Sequence, residues 1–211
     1  MTKSIQNPTN NNNGSEQKPP VAESKNTPTN VEFYDAVFHT IDDGAWAWGT
    51  AFTTIVDESG PGEWKGSKLT RKIVEKNSRY INGENNTYYA ISSFKAGKDG
   101  KPHRRGNNFN ACHVITMDDI GDGASAKIPL DKVVLPGSFA IETSPGNCQI
   151  GYILSVPVHD ADLINRVIDA LVEQGLASPT DPGMKGVTRY VRFPVGYNNK
   201  KKYGDGWQVR V

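Results

Sequence analysis

An apolar β-forming run, ACHVITM (Ala111–Met117), ends directly on two adjacent aspartates, Asp118 and Asp119, followed by Ile120 and Gly121. No other stretch restricts the fold as much. Two carboxylates so close repel each other, and at the end of a buried strand they are also partly desolvated, so the pair calls for a cation. Successive strand residues point to opposite faces, so both reach one ion only where the strand ends or twists. Gly121 and Gly123 make room for that. Hard cations such as Mg²⁺ or Mn²⁺ take one or two carboxylates from the protein, while water and substrate phosphates complete the shell. A solvated turn rich in Asp and Gly fits the same spacing, and Asp122 is an alternative member of the pair.

Three further segments read as strands: Thr87–Phe94 (TYYAISSF), Ser138–Thr143 (SFAIET) and Gln149–Val156 (QIGYILSV), the last two joined by the turn residues SPGN. Leu163, Ile164, Val167, Ile168, Leu171 and Val172 line one face of a helix over 159–176. Asp160 and Asp162 favour its start and Gly175 its end. Val31, Tyr34, Val37 and Phe38 recur at helical spacing where the fold begins, and Leu69, Ile73 and Val74 predict a helix over 67–80 with Ser67 as N-cap. AWAWGTAF (Ala45–Phe52) suits a strand or an aromatic-rich loop. Strands interleaved with a few helices predict a mixed fold of layered helices and sheet, in one domain over 31–211. Residues 1–30 are rich in Asn, Pro, Thr and Ser, which cannot offset the entropy of ordering, and are expected to form a disordered tail.

A net charge of +1 excludes no partner, so local charge must decide. Cys112 and Cys148 lack CxxC spacing and read as free thiols in a reducing cytosol, which predicts a cytoplasmic protein. No run approaches the ~18 apolar residues of a membrane span. Asp42 and Asp43 follow no β-run and are assigned to a turn; His113 reads as packed, and Trp46, Trp48 and Trp64 as packing residues.

Two more stretches carry chemistry. In ETSPGN and Gln149, the hydroxyls of Thr143 and Ser144 and the amides of Asn147 and Gln149 surround a Pro145–Gly146 turn suited to phosphate, although a plain β-turn has the same composition. From Pro182 to Tyr203 there is no acidic residue, while Lys185, Arg189, Arg192, Lys200, Lys201 and Lys202 supply positive charge. Such a run suits polyphosphate. A Gly-rich loop adds Lys95, Lys98, Lys101, Arg104 and Arg105 against only Asp99.

Taken in order, MDDIG, then ETSPGNCQIGYIL, then DPGMKGVTRYVRFPVGYNNKK resembles the archaeo-eukaryotic primase superfamily, specifically the RepB-type and prim-pol-type primases of plasmids and phages. Those proteins show an apolar strand ending in acidic residues, an ETSPGN-Q or TSPG-H hairpin, and an Asp upstream of R--R-PG--N-K. The resemblance covers about residues 85–203. This sequence has Gln149 where many members have His, and Val195 where the commoner form has Gly directly after Pro194.

The resemblance implies an α+β, RRM-like catalytic core with an antiparallel-rich sheet, joining nucleoside triphosphates on a single-stranded DNA template with Mg²⁺ or Mn²⁺. By position, Asp118, Asp119 and Asp181 would bind metal. Ser144, Asn147 and Gln149 would line the triphosphate, and Arg189 and Arg192 would hold its phosphates or the template. Lys95, Lys98, Arg104, Arg105, Lys200 and Lys201 would track the DNA backbone. No P-loop occurs, so unwinding would come from another chain, a replicative helicase being the expected partner, or from a part absent from this sequence. A non-catalytic single-stranded DNA or origin-binding module is the alternative, and a metal-dependent nuclease a third.

Overall fold

The computed structural model describes residues 27–53, 65–179 and 186–211. Residues 1–26 of the tail expected over 1–30, together with Trp64, Asp181 and Lys185, lie outside the described residues. The chain opens with helix α1 (Asn30–Val37), set by a capping box in which the Thr29 hydroxyl accepts the Glu32 N–H at 3.2 Å and the Glu32 carboxylate accepts the Thr29 N–H at 2.8 Å. Asn30, the first helical residue, is buried and ties the helix to two distant segments. Its amide donates to Tyr80 O and Val195 O, both at 2.7 Å.

Strand β1 (Ala45–Phe52) follows; the alternation of small and large residues in AWAWGTAF belongs to a strand. The expected helix over 67–80 is replaced by three short elements: strand β2 (Ser67–Leu69), helix α2 (Arg71–Lys76) and helix α3 (Ser78–Ile81). Ser67 caps nothing; the N-cap is Thr70, whose hydroxyl accepts the Ile73 N–H. The reason is non-local, because Ser67–Leu69 pairs with Ala47–Gly49 along the edge of β1.

TYYAISSF is also two elements, β3 (Asn86–Ala90) and β4 (Ser92–Lys95), which share β1 as a neighbour on one edge. On the other edge they part at Ile91. Its N–H donates to Arg189 O at 3.1 Å, while its carbonyl accepts the His113 N–H at 2.9 Å. There β3 takes strand β8 (Tyr190–Arg192), and β4 takes the long strand β5 (Phe109–Gly121). Outward from β5 lie β7 (Asn147–Val158) and β6 (Phe139–Ser144). The main sheet runs β6-β7-β5-β4-β1-β3-β8 with β2 beside β1, and every ladder in it is antiparallel among the described residues. A small second sheet pairs β9 (Tyr197–Asn198) with β10 (Trp207–Gln208). The architecture is α+β.

Helix α4 (Ala161–Glu173) starts on Asp160, whose carboxylate accepts the Leu163 N–H at 2.9 Å. Its apolar stripe spans both hydrophobic clusters. Ile164 and Ile168 join the larger one, built on Phe33, Val37, Tyr89, Val191 and Phe193, and Leu171 packs on the smaller one of Met117, Ile120, Ile128 and Ile150. Phe33 makes edge contacts with Phe139 and Tyr89, at ring-centroid distances of 4.8 and 5.5 Å. Each large apolar side chain fully buried in this way stabilises the fold by roughly 1.5–3 kcal/mol. The larger cluster packs α1 on the sheet and includes Val191 of β8, the end strand through which the basic last block of the sequence comes close to β5, Arg189 donating to Thr116 O.

Candidate active site

Strand β5 shows how two adjacent aspartates come to face the same side of the sheet. Met117 pairs with Ile150 and Ile120 with Cys148, so Asp118 and Asp119 together stand opposite the single residue Gln149. This is a β-bulge, with one extra residue on the longer strand. Asp119 takes up the extra residue in a left-handed conformation at φ 57°, which Asp tolerates better than most side chains. Residues 147 and 149 share a face of β7 by the two-residue period. The Gln149 amide donates to Asp118 Oδ2 at 2.8 Å and the Asn147 amide to Asp119 Oδ1 at 3.1 Å, so the bulge turns both carboxylates to that face. Met117 and Ile120 both face the smaller core on the other side.

The electrostatics follow from this placement. Burial pushes the Asp118 carboxyl above the usual aspartate value and Asp119 adds to the rise; Arg189, Gln149 and the Asp119 N–H work against them. The Arg189 guanidinium is buried, lies 3.7 Å from Asp118 Oδ2 and donates to Thr116 O at 2.6 Å. Asp119 Oδ2 lies 2.7 Å from Lys127 Nζ.

The β6–β7 hairpin is clasped to this acidic bulge. Gly146, at φ 63°, closes the turn, and its carbonyl accepts the N–H groups of Asp122 and Gly123 at 3.1 and 2.9 Å. A Cβ on Gly121 would stand 2.1 Å from Gly146 O, and one on Gly123 2.0 Å from Pro145 O. Only glycine permits that approach.

Block three reaches the same place through β8. The Arg192 N–H donates to Gln149 Oε1 at 3.0 Å, so both ends of the Gln149 amide are engaged. The buried Arg192 guanidinium donates to Asn86 Oδ1 and to Tyr197 O at 3.1 Å, and lies 4.5 Å from the Tyr88 ring centre. Among the described residues no carboxylate pairs with it. Tyr88 sits between the charges: burial raises its hydroxyl pKa, Arg192 lowers it and Asp118 raises it. Asn198 donates to Thr143 O at 2.6 Å. Asn86 Nδ2, Thr116 Oγ1, Asn147 Oδ1 and Asn198 Oδ1 are buried without a hydrogen-bond partner. Such orphaned atoms cost about 1–3 kcal/mol each, and a polar ligand would relieve the cost.

Residues 62–211 match the RepB DNA-primase N-terminal domain. The chain belongs to this primase family. None of the curated proteins matches it. The AEP domain of the cyanophage S-2L primase-polymerase is similar in structure, with a TM-score of 0.54 at 14% identity over 86% of each chain. That likeness is one of fold, the archaeo-eukaryotic primase fold.

The remaining expected site residues of this RepB-type domain divide by position. Ser144 is buried and hydrogen-bonds the Tyr203 hydroxyl, which also lies 3.0 Å from Ser125 Oγ. Lys202 Nζ donates to Ser125 Oγ at 2.7 Å, so the segment carrying Lys200 and Lys201 borders the acidic loop. Lys95, Lys98 and Arg105 lie at the other end of the sheet, where Phe94 pairs with Phe109. Asp118 is nine residue steps along β5 from Phe109, about 30 Å of strand. Arg104 alone of that loop reaches back, packing 3.9 Å from the Tyr190 ring centre and donating to Thr188 O. His113 is fully buried against Ser93 at 2.9 Å. Asp42 lies in a turn and accepts from Asn110. Trp46 and Trp48 are outside the buried core, and Lys68 Nζ lies 4.1 Å over the Trp46 ring. Asp181, the expected third carboxylate, falls outside the described residues, and among those residues no three His, Cys, Asp or Glu gather at one point. Sequence reasoning missed Asn86, Tyr88, Lys127 and Tyr203, because none stands within the three ordered blocks at a position with a marked role.

Proposed function

We propose that this chain is a template-directed nucleotidyltransferase that extends nucleotides on single-stranded DNA, making primers for plasmid or phage replication. The observation that carries the reading is the β5 bulge: it turns Asp118 and Asp119 to one face, beside a buried Arg192 whose charge no described carboxylate balances. Two hard-oxygen carboxylates on one face fit a divalent ion that keeps water and phosphate in its remaining positions. Asp118 and Asp119 would hold Mg²⁺ or Mn²⁺, and Asp181 is the proposed third ligand. When bound, such an ion makes a 3′-hydroxyl easier to deprotonate and offsets charge on the phosphate oxygens.

The chain's own residues supply positioning. Gln149 and Arg189 orient Asp118, while Asn147 orients Asp119. Arg192 supplies a guanidinium for the triphosphate, whose oxygens match its planar fork. Asn86 Nδ2 is a further unused donor beside it. Lys200 and Lys201 at the rim are suited to template phosphates, and the active site itself to positioning and charge stabilisation, which dominate phosphoryl chemistry.

The deciding experiment incubates the purified chain with single-stranded DNA, labelled ribo- or deoxyribonucleotides and Mg²⁺ or Mn²⁺, and resolves the products by length. Oligomers that require template, nucleotide and metal are expected. DNA binding without product would establish the non-catalytic module instead, and shortened template a nuclease.

A further inference from the structure

Lys127 is bound to Asp119 twice. Its ammonium lies 2.7 Å from Asp119 Oδ2 and its backbone N–H donates to Asp119 O at 2.8 Å. The loop that begins at the bulge thus returns to it. Three more backbone contacts fix the return: Gly121 N–H to Ile128 O at 2.9 Å, Ile128 N–H to Asp119 O at 3.0 Å, and Ala126 N–H to Gly123 O at 2.8 Å. The Asp119 side chain is 21% exposed and that of Lys127 48%, so the pair sits at the mouth of the site. With Asn147 on Oδ1 and Lys127 on Oδ2, both carboxylate oxygens are engaged.

A divalent ion and an ammonium on the same carboxylate oxygen repel each other, so each weakens the other's hold there. We propose that Lys127 is a positioning residue, a built-in counter-ion that holds the Asp119 carboxylate in the metal-free protein and yields it to the divalent ion. This rests on the reading of Asp119 as a metal ligand. The pair keeps Asp118 and Asp119 from facing each other as uncompensated charges, and it sets a threshold on metal affinity.

The test is Mn²⁺ binding, followed by the electron paramagnetic resonance of free Mn²⁺, without nucleotide or DNA. Wild type is compared with K127M, K127R, K202M and D119N. The expected result is Mn²⁺ held about tenfold more tightly by K127M, near wild type by K127R, with a much smaller gain in K202M and weakened binding in D119N. Unchanged or weaker binding by K127M, or an equal gain in K202M, overturns the inference while a loss in D119N leaves the metal reading standing. Binding that is absent throughout, or indifferent to D119N, overturns both.

Discussion

The side-chain amide of Gln149 donates to Asp118 Oδ2 at 2.8 Å, from the strand position directly opposite the bulge. Its other end accepts the Arg192 N–H, so one residue joins all three sequence blocks. Gln149→Leu leaves a buried carboxylate and a buried N–H each short of a partner. Urea unfolding is expected to show a loss of about 2–4 kcal/mol. Gln149→Glu adds a second carboxylate against Asp118 and should cost more at pH 7 than at pH 4.

The clasp between the acidic loop and the hairpin predicts that Gly121→Ala is severe. Its Cβ would meet Gly146 O at 2.1 Å, and the backbone at φ 145° disfavours any side chain. A stability loss of at least ~2 kcal/mol is expected from urea unfolding. Gly100→Ala, at φ 72° but with open space around its Cβ, should cost only the conformational strain, about 1–2 kcal/mol.

Burial pushes the His113 imidazole down to about 4, with His39 and His159 acting in the same direction and Asp42 opposing. The unfolded chain then binds a proton that the folded one refuses between pH ~6.5 and the folded value. Stability from this group is therefore present above pH 6.5 and lost as pH falls towards 4, by an amount on the order of 3 kcal/mol. His113→Gln is expected to flatten that part of the stability–pH curve, measured by urea unfolding at half-unit intervals.

Strands β5, β6 and β7 and helix α4 were legible because the two-residue and 3.6-residue periods are local properties of the chain. What escaped was set by distant partners. Ser67–Leu69 is a strand only because β1 offers it an edge, and TYYAISSF divides at Ile91 only because two different strands compete for the far side. At the candidate site, the ordered blocks marked Asp118, Asp119, Gln149 and Arg192, which the fold assembles. Tyr88 lies in an ordinary β-forming run and Lys127 follows the acidic pair by eight residues, so no local pattern marks either. The bulge itself was only half visible: Gly121 and Gly123 suggested a twist, whereas the left-handed residue is Asp119.

Lys200 and Lys201 border the acidic loop, which predicts a direct contribution to template affinity. Each phosphate contact on a single strand contributes roughly 0.7 to the slope of log affinity against log salt. Lys200→Ala with Lys201→Ala should therefore reduce the slope by about 1.4, read by fluorescence anisotropy of a labelled oligonucleotide. The same double change at Lys95 and Lys98, at the opposite end of the sheet, tests whether the DNA extends along the whole domain.

Single-nucleotide incorporation on a primed template, measured for wild type, D118N and D119N in Mg²⁺ at saturating DNA, tests the role of the paired carboxylates most directly. Either substitution is expected to lower the rate by at least about a hundredfold while oligonucleotide binding stays within roughly twofold of wild type. Incorporation by D118N and D119N at the wild-type rate would contradict the account.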